Sequence, residues 1–350
     1  MAGGSWDPTA LPIRPGLYAN FVESAIAQIS GGARGTVAIP LKANTGGSAT
    51  AKSFYTVTNE SDAITLFGSG NIQSIKFALQ GGAKEVLVYT MPVTPAVQDY
   101  ADMRKAFDTR PFNVFVYDGA VSATEQDSTL TWLKANKAEG KHFAVVFGCE
   151  NAADDNDPSI GDARSIRLKD EYSVNLITGV EIGGTIFNSA QYAPFIAGLI
   201  AGTPINQSIT YRVAPVDDVN KRLTNPEITT SLSKGSLLLV NDGEKVKIEQ
   251  GLTTAVKKIR AMRARQAVLT DVTKTANDNY IGRINNNKDG QATLISAVKA
   301  YLEQLEQSDV LTDIVVGLDT QFESIGDTVY LAISFTEIDS MERIFLTINV

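Results

Sequence analysis

The side chains best suited to nucleophilic or metal chemistry are scarce in this chain. Histidine and cysteine occur once each, as His142 and Cys149. They flank the apolar run Phe143–Gly148, where a buried, inert thiol is favoured over a nucleophile. One histidine cannot supply a multi-histidine metal site, and one cysteine excludes an intramolecular disulfide. We therefore expect no catalytic residue and no metal site.

Two further patterns suggest ligand binding, and both fall short of it. Gly31–Gly35 precedes a strand signal and Gly46–Gly47 follows one, but neither carries the Gly-Lys-Ser/Thr ending of a phosphate loop. The acidic tract Asp154–Asp157 lacks the spaced acids, the central glycine and the closing glutamate of a calcium loop. We interpret the tract as a solvated surface loop, and we expect no bound cofactor.

The composition fits an ordinary folded protein. The chain has 350 residues, of which 43% are hydrophobic and 20% charged, enough for two or three domains. No apolar run approaches the roughly 18 residues of a membrane span, and no secretory signal opens the sequence. We therefore expect folding in the cytoplasm and no membrane insertion. The net charge of −8 argues against direct nucleic-acid binding.

One local cluster of cations runs against this negative charge. One interpretation is the solvated face of a strand running into a helix, and the other is a contact with an acidic protein surface. Both stay open at this point. The cluster consists of Lys257, Lys258, Arg260, Arg263 and Arg265.

Strand and helix signals alternate between about residues 60 and 185, after a probable strand at Thr36–Leu41. Short apolar strands separated by helices predict right-handed crossovers and a mainly parallel sheet. One helix is predicted from Ile64 to Leu79, ending at Gly81–Gly82. The other predicted helices are Val97–Phe107 and Thr124–Ala138, and the predicted strands are Glu85–Thr90, Phe112–Tyr117 and Phe143–Phe147.

The region beyond residue 190 has a different pattern. Tyr192–Ala201 is helix-competent, and Ser208–Val213 is strand-like. Asn241–Gly243 is a strong hairpin turn between the strand signals Ser236–Val240 and Val246–Ile248. The clearest helix runs from about Ala292 to Glu306, with one apolar stripe.

Both ends of the sequence show extended, apolar segments. Residues 1–30 are punctuated by proline and glycine, which favours an extended arm. Near the other end, Val329–Ile338 and Arg343–Val350 alternate with period two, as β-strands do. Such a strand is either paired within its own domain or donated to a neighbouring molecule.

Several segments, taken in order, resemble the sheath proteins of contractile phage tails, notably the shorter sheaths of Gram-positive myophages and phage-tail-like particles. The likeness is strongest between residues 190 and 305, and Thr253 stands where the family's signature usually has asparagine. The segments are Pro15–Tyr18, Pro194–Pro204, Asn206–Tyr211, Gly235–Val240, Val246–Ile248, Gly251–Thr254 and Asn279–Arg283.

This resemblance implies a multidomain fold of mixed α/β and α+β class. The expected parts are an N-terminal arm (1–30), an outer α/β domain (31–188), an inner α+β domain (189–327) and a C-terminal β arm (328–350). The arms would exchange strands between subunits. The intersubunit residues implied are Tyr18, Phe21, Val22, Ile26, Ile344, Phe345, Leu346 and Ile348.

The resemblance also implies a function without catalysis. Sheath subunits form hexameric rings stacked into a helical homopolymer around an inner tube, and contraction drives the tube through a target envelope. The implied partners are the chain itself, the tube protein, and baseplate and tail terminator proteins. The resemblance makes the basic cluster Lys257–Arg265 a candidate contact with the tube or with a neighbouring subunit of the lattice. The implied location is a virion or phage-tail-like particle, with assembly in the host cytoplasm. The alternative is a soluble α/β nucleotide-binding enzyme with an appended β domain.

Overall fold

A computed structural model describes residues 34–42 and 46–349, together with the backbone of two paired segments, β1 (Gly3–Gly4) and β2 (Leu17–Tyr18). The further strands, in chain order, are β3 (Thr36–Leu41), β4 (Phe54–Val57), β5 (Glu85–Thr90), β6 (Val114–Val116), β7 (Ala144–Phe147), β8 (Ser173–Asn175), β9 (Val180–Ile182), β10 (Thr185–Phe187), β11 (Val213–Ala214), β12 (Asp218–Val219), β13 (Leu239–Asn241), β14 (Val246–Ile248), β15 (Leu311–Leu318) and β16 (Leu331–Glu337).

The α-helices of the described residues are, in chain order, α1 (Glu60–Phe67), α2 (Gln73–Gly81), α3 (Val97–Asp108), α4 (Ala123–Ala138), α5 (Pro158–Arg167), α6 (Ser189–Gly202), α7 (Asn225–Ser233), α8 (Ile259–Thr275) and α9 (Lys288–Gln307).

The centre of the molecule is a six-stranded sheet with the order β4-β5-β3-β6-β7-β8. Every pairing in it is parallel except that of β4 with β5, which confirms the predicted, mainly parallel α/β sheet. Side chains alternate between two buried faces: Val37 and Ile39 face one core, and Ala38 faces the other. Helices on both sides of the sheet account for these two cores.

The helix predicted over Ile64–Leu79 is instead two helices. Gly68 ends α1 with φ +85°, a short 3-10 turn follows at Ser69–Asn71, and α2 begins at Gln73. The side-chain amide of Asn71 donates a 2.7 Å hydrogen bond to the carbonyl of Phe67, which satisfies a carbonyl group at the C-terminal end of α1. The predicted stop is confirmed, since Gly82 caps α2 in the left-handed region.

Helix α6 packs mainly against α2 and the central sheet. Tyr192 and Phe195 share their core with Phe77 of α2. The boundary that we expected at residues 188 and 189 therefore passes through a single core. The packing is close because the α6 glycines lie directly against α2.

Small antiparallel sheets complete the body of the molecule that is built around the six-stranded sheet. The predicted hairpin around Asn241–Gly243 is confirmed as the pairing of β13 with β14. Much of the expected strand Ser208–Val213 is irregular, because the Thr210 amide donates to the Ser208 hydroxyl and Tyr211 has φ +57°. Only its last residue enters a strand, β11, which pairs with β14.

The C-terminal elements form a unit with its own core. Helices α8 and α9 pack against the antiparallel hairpin of β15 and β16, with Val298 and Leu302 of α9 fully buried. A bulge interrupts β15 between Thr312 and Val315. We predicted α9 and the β16 segment, but not β15 as its partner.

Candidate assembly surface

The two side chains with the most reactive chemistry lie in packed surroundings. The ring of His142 stands 5.9 Å from that of Tyr172, and its buried Nδ1 has no hydrogen-bond partner among the described residues. Burial, together with the Lys137 ammonium, lowers the pKa of His142. Cys149 is buried, and burial, assisted by Asp155, raises the pKa of its thiol. Both shifts favour the neutral forms of the side chains.

The acidic tract contains one residue that is not solvated, contrary to our interpretation of the tract as a surface loop. Asp155 is buried, and its carboxylate accepts hydrogen bonds of 2.5 Å from the Ser189 amide and 2.7 Å from the Ser189 hydroxyl. Burial raises the pKa of this carboxyl group, although Ser189 opposes the shift. Asp155 therefore fixes the first residue of α6 at a helix end that favours negative charge.

In the described part of the chain, no group of three or more His, Cys, Asp or Glu side chains could hold a metal ion.

The crevice at the carboxyl ends of β6 and β7, where open α/β sheets often bind ligands, is largely filled. The cavity there measures about 10 Å³, room for about one water molecule, and is lined by Tyr117, Phe147 and Cys149 among others. Gln126 donates a 3.1 Å hydrogen bond to the Gly148 carbonyl across it. Ligand pockets usually enclose about 300–1,000 Å³, so the space does not suit a nucleotide.

The last described segment is the most exposed apolar stretch among the described residues. Residues 338–349 form no strand, and the side chains beyond Arg343 stand in solvent. Phe345 is 93% exposed and Ile344 81%. Leu346 and Ile348 are similarly open. A run of large apolar side chains that its own domain leaves uncovered is typical of an interaction site.

The two predicted C-terminal β segments thus differ in structure. The first is confirmed as β16 over Leu331–Glu337, and it pairs with β15 of the same chain. The second, Arg343–Val350, has no strand partner among the described residues. Of the two segments, the residues beyond Arg343 are therefore the ones free to pair with another molecule.

The hairpin of β15 and β16 offers edges to such a partner. It is a two-stranded sheet, and within the described residues no strand pairs with either outer edge. One face is covered, since Val316 and Ile333 pack against the core built on α9. On the opposite face Val315 is 62% exposed. Unpaired backbone groups along these edges can accept an added strand.

Most of the basic cluster binds other parts of the same chain. Arg260 is buried and donates a 2.7 Å hydrogen bond to the carbonyl of Asp309. Arg263 donates to the carbonyls of Thr203 and Pro204, and burial lowers its pKa to about 10.

Of the three remaining members of the cluster, two are paired within the chain and one is exposed. Arg265 pairs with Glu337 at the end of β16, and Lys258 pairs with Glu342. Lys257 is exposed. The cluster therefore mainly joins α8 to its surroundings, and Lys257 is the member that faces outward. No pattern in the sequence indicated these partners, which come from distant segments.

The N-terminal candidates fall largely outside the described residues. Phe21, Val22 and Ile26 lie there entirely, and of Tyr18 only the backbone is described, paired in β2. Their assignment to an intersubunit arm stays a prediction. Among the described helices, none has the length and apolar character needed to cross a membrane.

Three family models match the chain in succession. They are the tail sheath protein Gp18 domain III N-terminal region at residues 34–89, the phage tail sheath protein central domain at 94–254 and the phage tail sheath C-terminal domain at 253–350. The tail sheath protein of Clostridium phage phiCD119 is 24% identical over 311 residues, 83% of this chain and 80% of that protein.

Solved structures show the same fold. The sheath tail protein of Desulfitobacterium hafniense matches with a TM-score of 0.75 at 19% identity, covering 95% of this chain and 99% of that one. The helical sheath of the anti-feeding prophage in its contracted state matches with a TM-score of 0.72 at 15% identity, covering 97% and 99%.

A filled sheet crevice, an exposed apolar segment and a hairpin with unpaired edges suit a subunit that assembles with other molecules. The chain belongs to the phage tail sheath family, the structural subunits of contractile tails. The resemblance stated from the sequence is thereby confirmed, as is the multidomain α/β and α+β fold. The nucleotide-binding alternative has no support.

Proposed function

We propose that this subunit polymerises helically around an inner tube by exchanging strands with its neighbours, and that the segment Arg343–Val350 is the C-terminal arm. The observation that carries the proposal is the exposed apolar segment beyond β16, beside a hairpin whose edges are unpaired. Added to a neighbour's hairpin, each buried Ile, Leu or Phe side chain would contribute about 1.5–3 kcal/mol.

Strand exchange would suit a sheath that contracts. Main-chain hydrogen bonds keep neighbouring subunits joined while the rigid bodies between them rotate and slide. Because the contacts are head-to-tail and do not close, they generate a helix of stacked rings. No catalytic step is needed: the contracted lattice would have the more favourable contacts, and small differences would sum along the tube.

We further propose the placement of the parts. The C-terminal unit of α8, α9 and the hairpin would lie toward the tube, with the six-stranded sheet outside. The partners would be the tube, baseplate and terminator proteins, with assembly in the host cytoplasm. The exposed Lys257 is our candidate for a contact with the tube or with a neighbouring subunit.

The test is a deletion chosen from the structure. Removing residues 343–350 leaves the hairpin intact, whereas a deletion from residue 328 would also remove β16 and expose the core against α9. We expect the full chain to form tubes visible by negative-stain electron microscopy, and the shorter chain to remain a folded monomer with an unchanged circular dichroism spectrum. Equal polymers from both chains would refute the role of the arm.

A further inference from the structure

A buried carboxylate holds the chain just before the free arm. The side chain of Glu342 is 8% exposed, in a segment whose following residues stand in solvent. Its Oε1 accepts a 2.8 Å hydrogen bond from the Thr210 hydroxyl, and its Oε2 accepts a 2.7 Å bond from the Gln250 amide. The Lys258 ammonium pairs with Oε2. The Ser208 hydroxyl also donates to Oε1, at 3.4 Å. A glutamate bound by several donors from distant segments is an anchor, not a solvated side chain.

The donors are themselves held in place. The Thr210 hydroxyl accepts a 3.0 Å hydrogen bond from the Gly251 amide, which leaves its proton directed to Glu342. The Ser208 hydroxyl donates a 2.9 Å hydrogen bond to the Thr210 hydroxyl and accepts a 3.1 Å bond from the Thr210 amide. The irregular backbone at residues 208–211 and the turn before Leu252 therefore build one carboxylate cradle. These two segments belong to the stretches that carried the family resemblance, which gave them no role.

The cradle shortens the arm. The last backbone bond before it joins the Ile338 amide to the carbonyl of Val310. Without the anchor, residues 339–350 would be free and could span about 40 Å at roughly 3.3 Å per extended residue. With Glu342 bound, only residues 343–350 are free, and their span is about 26 Å.

We propose that the Glu342 cradle, formed by Thr210, Gln250 and Lys258, fixes where the C-terminal arm leaves its own subunit, so that the arm reaches one neighbouring hairpin edge and not others. This inference rests on the proposed arm-linked assembly. Thr210 and Gln250 belong to the body that carries the central sheet, and Lys258 directly precedes α8, whereas β16 belongs to the C-terminal unit. The anchor thereby ties the direction of the arm to the body of the subunit.

The anchor can be measured without any polymer. Trypsin cleaves after Arg343, and the product lacking residues 344–350 is identified by its mass. On the unassembled subunit isolated by gel filtration, we expect Glu342→Gln and Lys258→Met to be cleaved there about tenfold faster than the natural chain, because release of the anchor exposes both sides of the bond. Glu337→Gln is the matched control: it removes the pair with Arg265, but the β16 ladder holds its backbone, so its cleavage should not change. Equal cleavage in all four chains would overturn the anchor.

The effect on assembly is then read by electron microscopy of the same chains. We expect uniform tubes from the natural chain and from Glu337→Gln, and short or irregular polymers from Glu342→Gln. Faster cleavage of Glu342→Gln with tubes as uniform as those of the natural chain would overturn the positioning role while leaving the proposed function intact. A natural chain that forms no polymer would instead overturn the proposed function, and with it the inference.

Discussion

Gly198 of α6 lies against the backbone of Ala78 in α2 so closely that a methyl group on Gly198 would stand 2.0 Å from the Ala78 carbonyl oxygen. Gly202 makes the same kind of approach to Gly82 one turn further on. The glycines of the segment Pro194–Pro204 are therefore explained by helix packing: they allow two backbones to approach without side chains between them.

Replacing Gly198 with alanine should destabilise the protein by about 3 kcal/mol, because the backbone of α2 cannot give way as a flexible side chain could. The measurement is the midpoint of urea unfolding followed by circular dichroism. Gly70→Ala is the control, since that position has open space around it. A Gly198→Ala midpoint equal to that of the control would contradict the packing.

A second prediction concerns a hydroxyl group without a partner. Tyr192 is buried, and within the described residues its hydroxyl forms no hydrogen bond. Tyr192→Phe should raise the free energy of unfolding by about 1 kcal/mol, because an unsatisfied buried polar atom is removed. In Tyr301→Phe the hydroxyl that donates to Asp271 is lost, and the free energy should fall by about 1–2 kcal/mol. A loss of stability in Tyr192→Phe would refute this account.

The single histidine predicts a pH dependence. Burial and Lys137 lower the pKa of His142 in the folded state below its ordinary 6.5. Below about pH 6.5 the unfolded chain therefore binds a proton at this histidine more readily than the folded chain does. Stability consequently falls as the pH drops from about 6.5 toward the pKa of the folded state. We expect the melting temperature of the natural chain to decline over this range relative to that of His142→Asn. Parallel curves for the two chains would contradict the shift.

The basic cluster yields a prediction that separates folding from assembly. The double variant Arg260→Glu, Arg263→Glu places two acids where the carbonyls of Thr203 and Asp309 now receive donors, so the monomer itself should be destabilised. Its failure to polymerise would therefore say nothing about the lattice. Lys257→Glu should keep the natural melting temperature and weaken polymerisation or tube attachment. Undisturbed assembly of Lys257→Glu would remove it as a contact.

The arm should be sensitive to which of its faces is changed. In an extended strand, one side would carry Ile344, Leu346 and Ile348, and the other side would carry Phe345. Added to a neighbour's hairpin, the first row would continue the face that α9 covers. Leu346→Asp should raise the critical concentration for polymerisation about 10–100-fold, because a buried leucine contributes about 1.5–3 kcal/mol. Phe345→Asp, on the opposite row, should have the smaller effect in a pelleting assay. Equal effects would show that both faces are covered.

Sequence patterns predicted the elements that depend on local signals. The parallel strands, the stop at Gly81–Gly82 and the turn at Asn241–Gly243 follow from apolar runs and glycine, and the structure has them. The break between α1 and α2 was missed because Gly68 falls inside an apolar spacing that continues across it. The partners of Asp155 and Glu342 come from residues 34 and 84 or more positions away, and no local pattern encodes them.

The hairpin of β15 and β16 is expected to be the last part of this molecule to become rigid. Two strands alone are marginally stable in water, and here helices α8 and α9 support them on one side only. Fast hydrogen exchange should therefore mark this sheet in the free subunit, and slow exchange should mark it once neighbours supply further strands. In the proposed assembly, this sheet would therefore become fully ordered only after neighbouring subunits have added their strands.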